Sequence, residues 1–259
     1  MGTPLAPLTG DTSRPLDERK ADALRVVNRR TRLDAILEWS RIFVIAVGLF
    51  LVIRAFGVEA FKIPSGSMEH TLLVGDFLLV NKFVYGPQVP FTNYQLPGLR
   101  RPARGDIVVF QWPSDPTKNF VKRLIGLPGD TVAMREGRLL VNGRVQNENY
   151  VSHTDPGFDQ GSADFAWQEK ALIRTAQASG SAAPPTRNNW GPLVVPERSF
   201  FVLGDNRDNS SDSRYWGFVP DSLVRGQPLI VYYSYLPDTA AVAPWVTRIR
   251  WSRLGERVR

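Results

Sequence analysis

The chain has 259 residues, 43% of them hydrophobic, enough for one medium-sized globular domain plus an anchor or for two small domains. It contains no cysteine and only two histidines, His70 and His153, which excludes disulfides, a thiolate nucleophile, cysteine metal sites and a histidine-rich metal centre. The net charge of +7 suits an anionic partner, but the arginines crowd toward both ends of the chain, where a membrane surface accounts for them as well as nucleic acid does.

Residues 1 to 23 are rich in Pro, Thr, Asp and Arg with little periodic apolar content, the pattern of a mobile tail. Met1-Gly2 opens like a myristoylation signal, but that pattern wants Ser or Thr at position six and finds Ala6. From Leu24 the pattern turns helical, and Ile42 to Ile53 (IFVIAVGLFLVI) is an uninterrupted apolar run bounded by Arg41 and Arg54. The run alone is shorter than the roughly 20 residues that span a bilayer. Continued to Val58, with the Arg54 side chain reaching the headgroups, it predicts a transmembrane helix over 41–58. Arg25, Arg29, Arg30, Arg32 and Arg41 precede it against Asp34 and Glu38, while Lys62 is the first base after Arg54. By the positive-inside rule, residues 1–40 are a cytoplasmic tail and 59–259 an extracytoplasmic domain, on a single-pass protein of the cell's inner (plasma) membrane. Two blander readings compete. A buried core helix of this length finds no second long apolar helix to pack against. A cleaved signal sequence, with Val58-Glu59-Ala60 at its end, fits poorly with the long leader and with Arg54 closing the apolar run.

After residue 60 the chain turns to short β-rich segments: Phe77 to Val80, Ile107 to Phe110, Phe120 to Leu127, Arg138 to Val141, Phe200 to Leu203 and Leu229 to Tyr235. Gly-Asp, Pro-Gly and Asn-Gly turns separate them, so the expected fold is mainly β, a partly barrel-like domain behind the N-terminal helix. Residues 152–190 are poor in β-formers and predict an insertion or long surface excursion rather than core. The Arg-rich end, Trp245 to Arg259, has interleaved apolar residues and reads as a surface segment.

Three stretches carry candidate chemistry. Ile63-Pro-Ser-Gly-Ser-Met-Glu-His-Thr-Leu72 is a Pro and Gly turn with two serines two residues apart, so a hydroxyl and nearby backbone N–H groups can converge on one point. An ordinary turn is the more frequent explanation of a lone Ser-Gly-Ser. Asn119 to Asp130 begins as a strand whose alternation puts Phe120, Lys122 and Leu124 on one face. Apolar neighbours would favour a neutral lysine, whereas the pattern alone favours an exposed face and a solvated charge. Gly204 to Gly217 (GDNRDNSSDSRYWG) is a polar loop with three acids and two arginines able to pair, and its bland reading is a surface turn held by its own hydrogen bonds.

Together these stretches resemble the bacterial type I signal peptidase family, from the apolar run through about residue 235 and excluding 152–190. Pro64-Ser-Gly-Ser-Met68, Arg104-Gly-Asp-Ile-Val-Val109, Lys122-Arg123 with Gly126-Leu-Pro-Gly-Asp130, and Gly204-Asp-Asn-Arg-Asp-Asn-Ser210 with Asp212-Ser-Arg214 occur in that family's order. The resemblance implies a serine endopeptidase with a Ser-Lys dyad: Ser67 as nucleophile and Lys122 as general base. It further implies an oxyanion hole from the Ser65 hydroxyl and the Ser67 backbone N–H, Ser210 orienting the lysine amine, and Asp212 with Arg214 as a supporting ion pair. His70 stands where many relatives carry Pro, which leaves a rival Ser-His arrangement, though a residue three positions from the nucleophile is poorly placed.

The implied substrates are exported preproteins with small side chains at the first and third positions before the cleavage point. By matching position, Ile63, Leu72 and Val121 would line the pockets that select them, with the substrate extended along a sheet edge. No cofactor is implied, the expected partners are preproteins and membrane lipid, and nucleic acid is not among them. Only 14 positions separate Ile53 from Ser67, so an anchored enzyme and a signal peptide would meet at one membrane surface. The rivals are another Ser-Lys peptidase of the self-cleaving repressor type, which should carry a DNA-binding helix pair where this chain has an apolar run, and an anchored, non-catalytic envelope protein.

Overall fold

The structure is a computed structural model that describes residues 15–89, 92, 94–157, 159, 161–171, 184–237 and 242–259. The expected tail, residues 1–23, therefore lies partly outside the described residues. The chain divides into two compact units, Met1–Val52 and Ile53–Arg259.

The first unit contains α1 (Leu16–Val52). Asp17 and Glu18 in its first turn complement the positive end of the helix dipole. Its stretch Asp34–Val52 has a mean hydropathy of 2.0 over 18 residues, with no part of that window buried. Trp39 is 72% and Phe43 69% exposed, and the apolar side chains from Ile42 to Ile53 are exposed with them. A soluble surface rarely carries an apolar belt of this extent. The helix ends sooner than the 41–58 span expected from hydropathy. Ile53–Gly57 form a single π-type turn, and Val58 is already in a strand opposite Asn81. The reason is that Val58 to Lys62 finds a backbone partner, and a strand-paired residue cannot also continue a helix.

In the second unit, β1 (Val58–Lys62) pairs with β2 (Asp76–Asn81), and Glu59 meets Lys82 at 2.7 Å. β3 (Ile107–Trp112) and β4 (Asp115–Gly126) form a long hairpin. A smaller meander follows: β5 (Thr131–Arg135), β6 (Arg138–Val141) and β7 (Arg144–Val145). After α2 (Ala166–Ala171) come β8 (Trp190–Val194), β9 (Ser199–Leu203), α3 (Ser213–Trp216), β10 (Val219–Pro220), β11 (Val224–Ser234) and α4 (Pro244–Thr247). All strand pairings named here are antiparallel, in a seven-stranded sheet ordered β1-β2-β11-β3-β4-β9-β10 and a four-stranded sheet ordered β7-β6-β5-β8. The mainly β expectation holds.

Alternation along the central strands feeds a separate core on each face of the large sheet. From β3, Ile107 and Val109 join Ile63, Met68, Leu72 and Leu78, while Val108 and Phe110 join Leu124, Phe200 and Val202. Ile125, Phe201 and Leu203 pack with Val132, Met134, Leu139 and Trp190 and so tie the small sheet to the large one. β1, β5, β8 and the two-residue strands β7 and β10 were not anticipated from sequence. β1 is hidden in the shadow of the apolar run, and Pro192 inside β8 argues locally against a strand.

The basic C-terminal stretch is more than a surface segment. Residues 248–258 exchange backbone hydrogen bonds with residues 229–236, including Arg250 N–H to Ser234 O and Val231 N–H to Glu256 O, both at 2.9 Å. Arg253 reaches the buried Asp76 at 2.7 Å and donates to the Thr71 carbonyl at 3.0 Å.

Candidate active site

Ile63 precedes a proline and is therefore held extended. Its N–H donates to Asp76 O and its carbonyl accepts from Gly75 N–H, which keeps it level with β2. Ser65 continues extended (φ −134°, ψ 157°), and Gly66–Met68 close into one 3-10 turn. Met68 and Leu72 sink into the core beneath, so this Ser-Gly-Ser is anchored rather than an idle loop. Ser67 is 8% exposed, and its hydroxyl accepts a hydrogen bond from Lys122 Nζ at 2.6 Å.

Lys122 lies on β4 opposite Val108 and is 4% exposed. Phe120 and Leu124 belong to one apolar cluster, the shared face that alternation predicts, and the Phe120 ring centroid lies 5.5 Å from the Lys122 nitrogen. Burial is the dominant influence on this amine and pulls its pKa from 10.5 down to about 8. Asp212 and Asp205 pull it back up, and Arg214 pushes it further down.

The loop after β9 supports both groups. Asn206 N–H donates to the Ser67 carbonyl at 3.1 Å, and its side-chain amide donates to Gly66 O at 3.2 Å. Gly204 sits so close that a Cβ there would overlap Ser210 Oγ and the Ser67 carbonyl, a close approach only glycine allows. Asp212 caps α3 and holds Arg214 through a buried ion pair at 2.8 Å. Burial acts to raise the Asp212 carboxyl, but Arg214, the Gly204 N–H and the nearby Ser210 outweigh it and leave its pKa below the usual range.

A cavity of about 290 Å³ opens at the dyad. Ile63, Ser65, Ser67, Val121 and Lys122 line it, together with Phe120, expected beside the lysine, and with Phe61, Lys62, Pro64, Met68, Asn119, Asn209 and Ser211, to which sequence reasoning gave no role in the cleft. Leu72 is a correction: it is fully buried behind Ile63 and Met68 and forms no part of the lining. Ser210 is buried, but its hydroxyl meets hydrogen-bond geometry with no group among the described residues, Lys122 included. His70 is exposed, adopts φ 85° and stands outside the lining, while the partner of the Ser67 hydroxyl is Lys122.

Two features escaped the sequence. Arg123 and Asp205 form a buried pair at 2.7 Å, and Asp205 also accepts from Thr71 Oγ1 at 2.6 Å, so one carboxylate links the lysine strand to the serine turn. The 152–190 segment is also not a pure surface excursion. Among its described residues Phe165, Gln168, Arg187 and Trp190 are buried, and Trp167 and Gln168 donate to the Arg214 carbonyl at 3.0 and 2.8 Å. Its low β content had concealed this, because the contacts are made by side chains reaching onto the loop rather than by strand pairing.

A serine hydroxyl in contact with a buried amine of lowered pKa, at the mouth of a cleft with unpaired strand edges, has the chemistry of a serine hydrolase with a lysine base. Residues 36–233 match the family described as signal peptidase, peptidase S26. The chain is 40% identical over 229 residues to the signal peptidase I of Pseudomonas aeruginosa, covering 82% of this chain and 78% of that one. It is 37% identical over 261 residues to the signal peptidase I of Pseudomonas fluorescens, covering 95% and 87%. A crystal structure of a signal peptidase I from Enterococcus faecalis V583 aligns at 33% identity over 50% of this chain and 98% of that one, with a TM-score of 0.33. The chain belongs to the signal peptidase family, peptidase S26, and is a serine endopeptidase. Membership sets aside the repressor-type and non-catalytic readings.

Proposed function

We propose that this protein is a membrane-anchored endopeptidase that removes N-terminal signal peptides from exported preproteins, with Ser67 as nucleophile and Lys122 as general base. The observation that carries the assignment is the 2.6 Å contact between Lys122 Nζ and Ser67 Oγ in a buried setting. In the neutral form the amine accepts the hydroxyl proton along that contact. The oxygen attacks the scissile carbonyl, the protonated amine returns its proton to the leaving nitrogen, and the regenerated amine activates water against the acyl-enzyme.

The Ser65 hydroxyl and the Ser67 N–H are the oxyanion donors in this reading. Support comes from Ser65 lining the cleft with its side chain uncommitted to capping, and from Ser67 lying in a turn whose first amides have no acceptor within it. Asp212 and Arg214 hold the loop against the dyad, and the Ser210 hydroxyl, carried beside Gly204, is the group that orients the amine. Substrate lies extended between β1, a terminal strand of its sheet, and residues 119–121 of β4, whose outer edge is unpaired because β9 joins only from Arg123. Ile63 and Val121 then narrow the walls so that small side chains are selected. Cleavage of a fluorogenic signal-peptide substrate by the wild type, with Ser67→Ala as the inactive control, tests the assignment. Ser65→Ala is expected to lower kcat by about 10²- to 10³-fold with a smaller change in KM, and an unchanged kcat removes Ser65 from the oxyanion hole.

The apolar stretch Asp34–Val52 is the anchor, single-pass in the inner (plasma) membrane, with the preceding arginine-rich residues cytoplasmic and the catalytic unit outside in contact with membrane lipid. A reporter that functions only after export, fused after residue 100, should be active. Activity of a cytoplasmic reporter at the same position reverses the orientation.

A further inference from the structure

The walls of the cleft are apolar or neutral-polar with two exceptions, and one of these is the general base. Among the lining residues Lys62 and Lys122 are the charged side chains, and no carboxylate lines the cavity. Lys122 is buried against Ser67 and committed to the chemistry. Lys62 is exposed at the end of β1 and has no carboxylate partner among the described residues. The acids nearest to it in sequence are engaged elsewhere: Glu59 with Lys82, Glu69 with the Asn206 side-chain amide, and Asp76 with Arg253 and Ser234.

Lys62 is also held rather than left to wander. Its nitrogen lies 5.8 Å from the centroid of Phe77 and 5.4 Å from that of Tyr235. Phe77 is its cross-strand neighbour on β2, and its ring packs edge-on against Tyr233 at 5.4 Å. Rings at this range attract an ammonium through their negative faces without neutralising it, so the group is positioned while its charge stays available. A fixed cation on one wall of a narrow cleft, with no counter-charge opposite, imposes a charge preference on whatever chain is laid beside it.

Resting on the reading of this cleft as the signal-peptide site, we propose that Lys62 is a specificity-determining residue that selects the charge of the preprotein upstream of the small-residue positions. It favours an acidic side chain and disfavours Lys or Arg there. The register follows from the order of the wall. Ser67 meets the scissile carbonyl, Ile63 narrows the wall at the small upstream residues, and Lys62 is the next residue along β1 away from the nucleophile. An extended substrate advances about 3.3 Å per residue, so the fourth to sixth residues before the cleavage point pass its ammonium.

The test uses the full chain in an uncharged detergent and quenched-fluorescence signal-peptide substrates carrying Glu, Gln or Lys in turn at the fourth, fifth and sixth positions before the cleavage point. Wild type, Lys62→Gln and Lys62→Glu are compared at low and high salt. In the wild type, kcat/KM should fall about 3- to 10-fold from the Glu to the Lys peptide at one or more of these positions, the size of a partly screened charge pair. The ratio should approach one in Lys62→Gln, invert in Lys62→Glu, and shrink at high salt. The urea midpoint of each variant, expected to match that of the wild type, reports an intact fold. If the Gln peptide is cut but the Glu-to-Lys ratio is the same in wild type and both variants, the role of Lys62 is overturned. If wild type leaves the Gln peptide uncut, the signal-peptide reading of the cleft fails instead.

Discussion

Lys122→Arg is expected to lower kcat by about 10²- to 10⁴-fold while retaining the positive charge, because a guanidinium does not give up its proton near neutral pH and cannot act as base. In the wild type, kcat/KM should rise with pH through a limb centred near 8, the value to which burial brings Lys122 in the free enzyme. That limb should persist in His70→Ala. Normal cleavage by Lys122→Arg, or loss of the limb with His70, would falsify the Ser-Lys mechanism.

The same burial carries a cost in stability, and its sign can be worked out. The folded-state pKa of about 8 lies below the ordinary 10.5, so the folded state binds this proton less well than the unfolded chain does. Below about pH 8 both states are protonated and the full cost of burying an ammonium is present. As pH rises from 8 toward 10.5 the cost fades, and above that it is gone. The gap corresponds to about 3 kcal/mol. Lys122→Met should therefore be inactive yet more stable in urea at neutral pH, with the gain shrinking as pH rises through that window. A loss of stability at neutral pH would show that the lysine contributes packing worth more than its desolvation cost.

Asp212→Asn carries the second large effect. It leaves the Arg214 guanidinium fully buried without its carboxylate, and breaking such a pair costs about 3–5 kcal/mol, read as a lower urea midpoint at unchanged slope. Asn keeps the capping oxygen for the Arg214 N–H, so the loss reports the charge rather than the cap. The catalytic readout distinguishes a supporting role from mere folding. Asp212 raises the pKa of Lys122 and Arg214 lowers it, so removing the carboxylate charge should move the acidic limb of kcat/KM to lower pH than in the wild type. A limb that stays in place among the folded molecules would disconnect Asp212 from the lysine.

Local pattern was enough for some of this molecule. The apolar run of α1 shows in hydropathy, because spanning lipid demands apolar side chains at every turn of a helix whose backbone bonds close within it. β2, β3, β4, β6 and β9 show in alternation and turn residues, because a half-buried strand must send every second side chain inward. The shared face of Phe120, Lys122 and Leu124 is of the same kind. What local pattern could not supply was where the helix stops, since Val58 to Lys62 becomes a strand only when β2 lies beside it.

The serine turn, the lysine strand and the acidic loop were each ambiguous alone, each with a bland reading at least as frequent as the functional one. Their order along the chain supported a family resemblance, but order carries no distance. The tertiary structure alone decided that Lys122 is buried rather than solvated and that its nitrogen lies 2.6 Å from the Ser67 hydroxyl across 55 positions of sequence. It also decided that Asp205 joins Arg123 to Thr71, that Leu72 is core and not cleft wall, and that the segment after residue 152 buttresses Arg214. The physical reason is that burial and charge pairing belong to the packed arrangement of many strands. The lysine's lowered pKa comes from burial, to which Phe120 contributes from its own strand, but Val108 opposite it on β3, the Ser67 hydroxyl, and the Asp205, Asp212 and Arg214 charges come from parts of the chain that only folding brings to it.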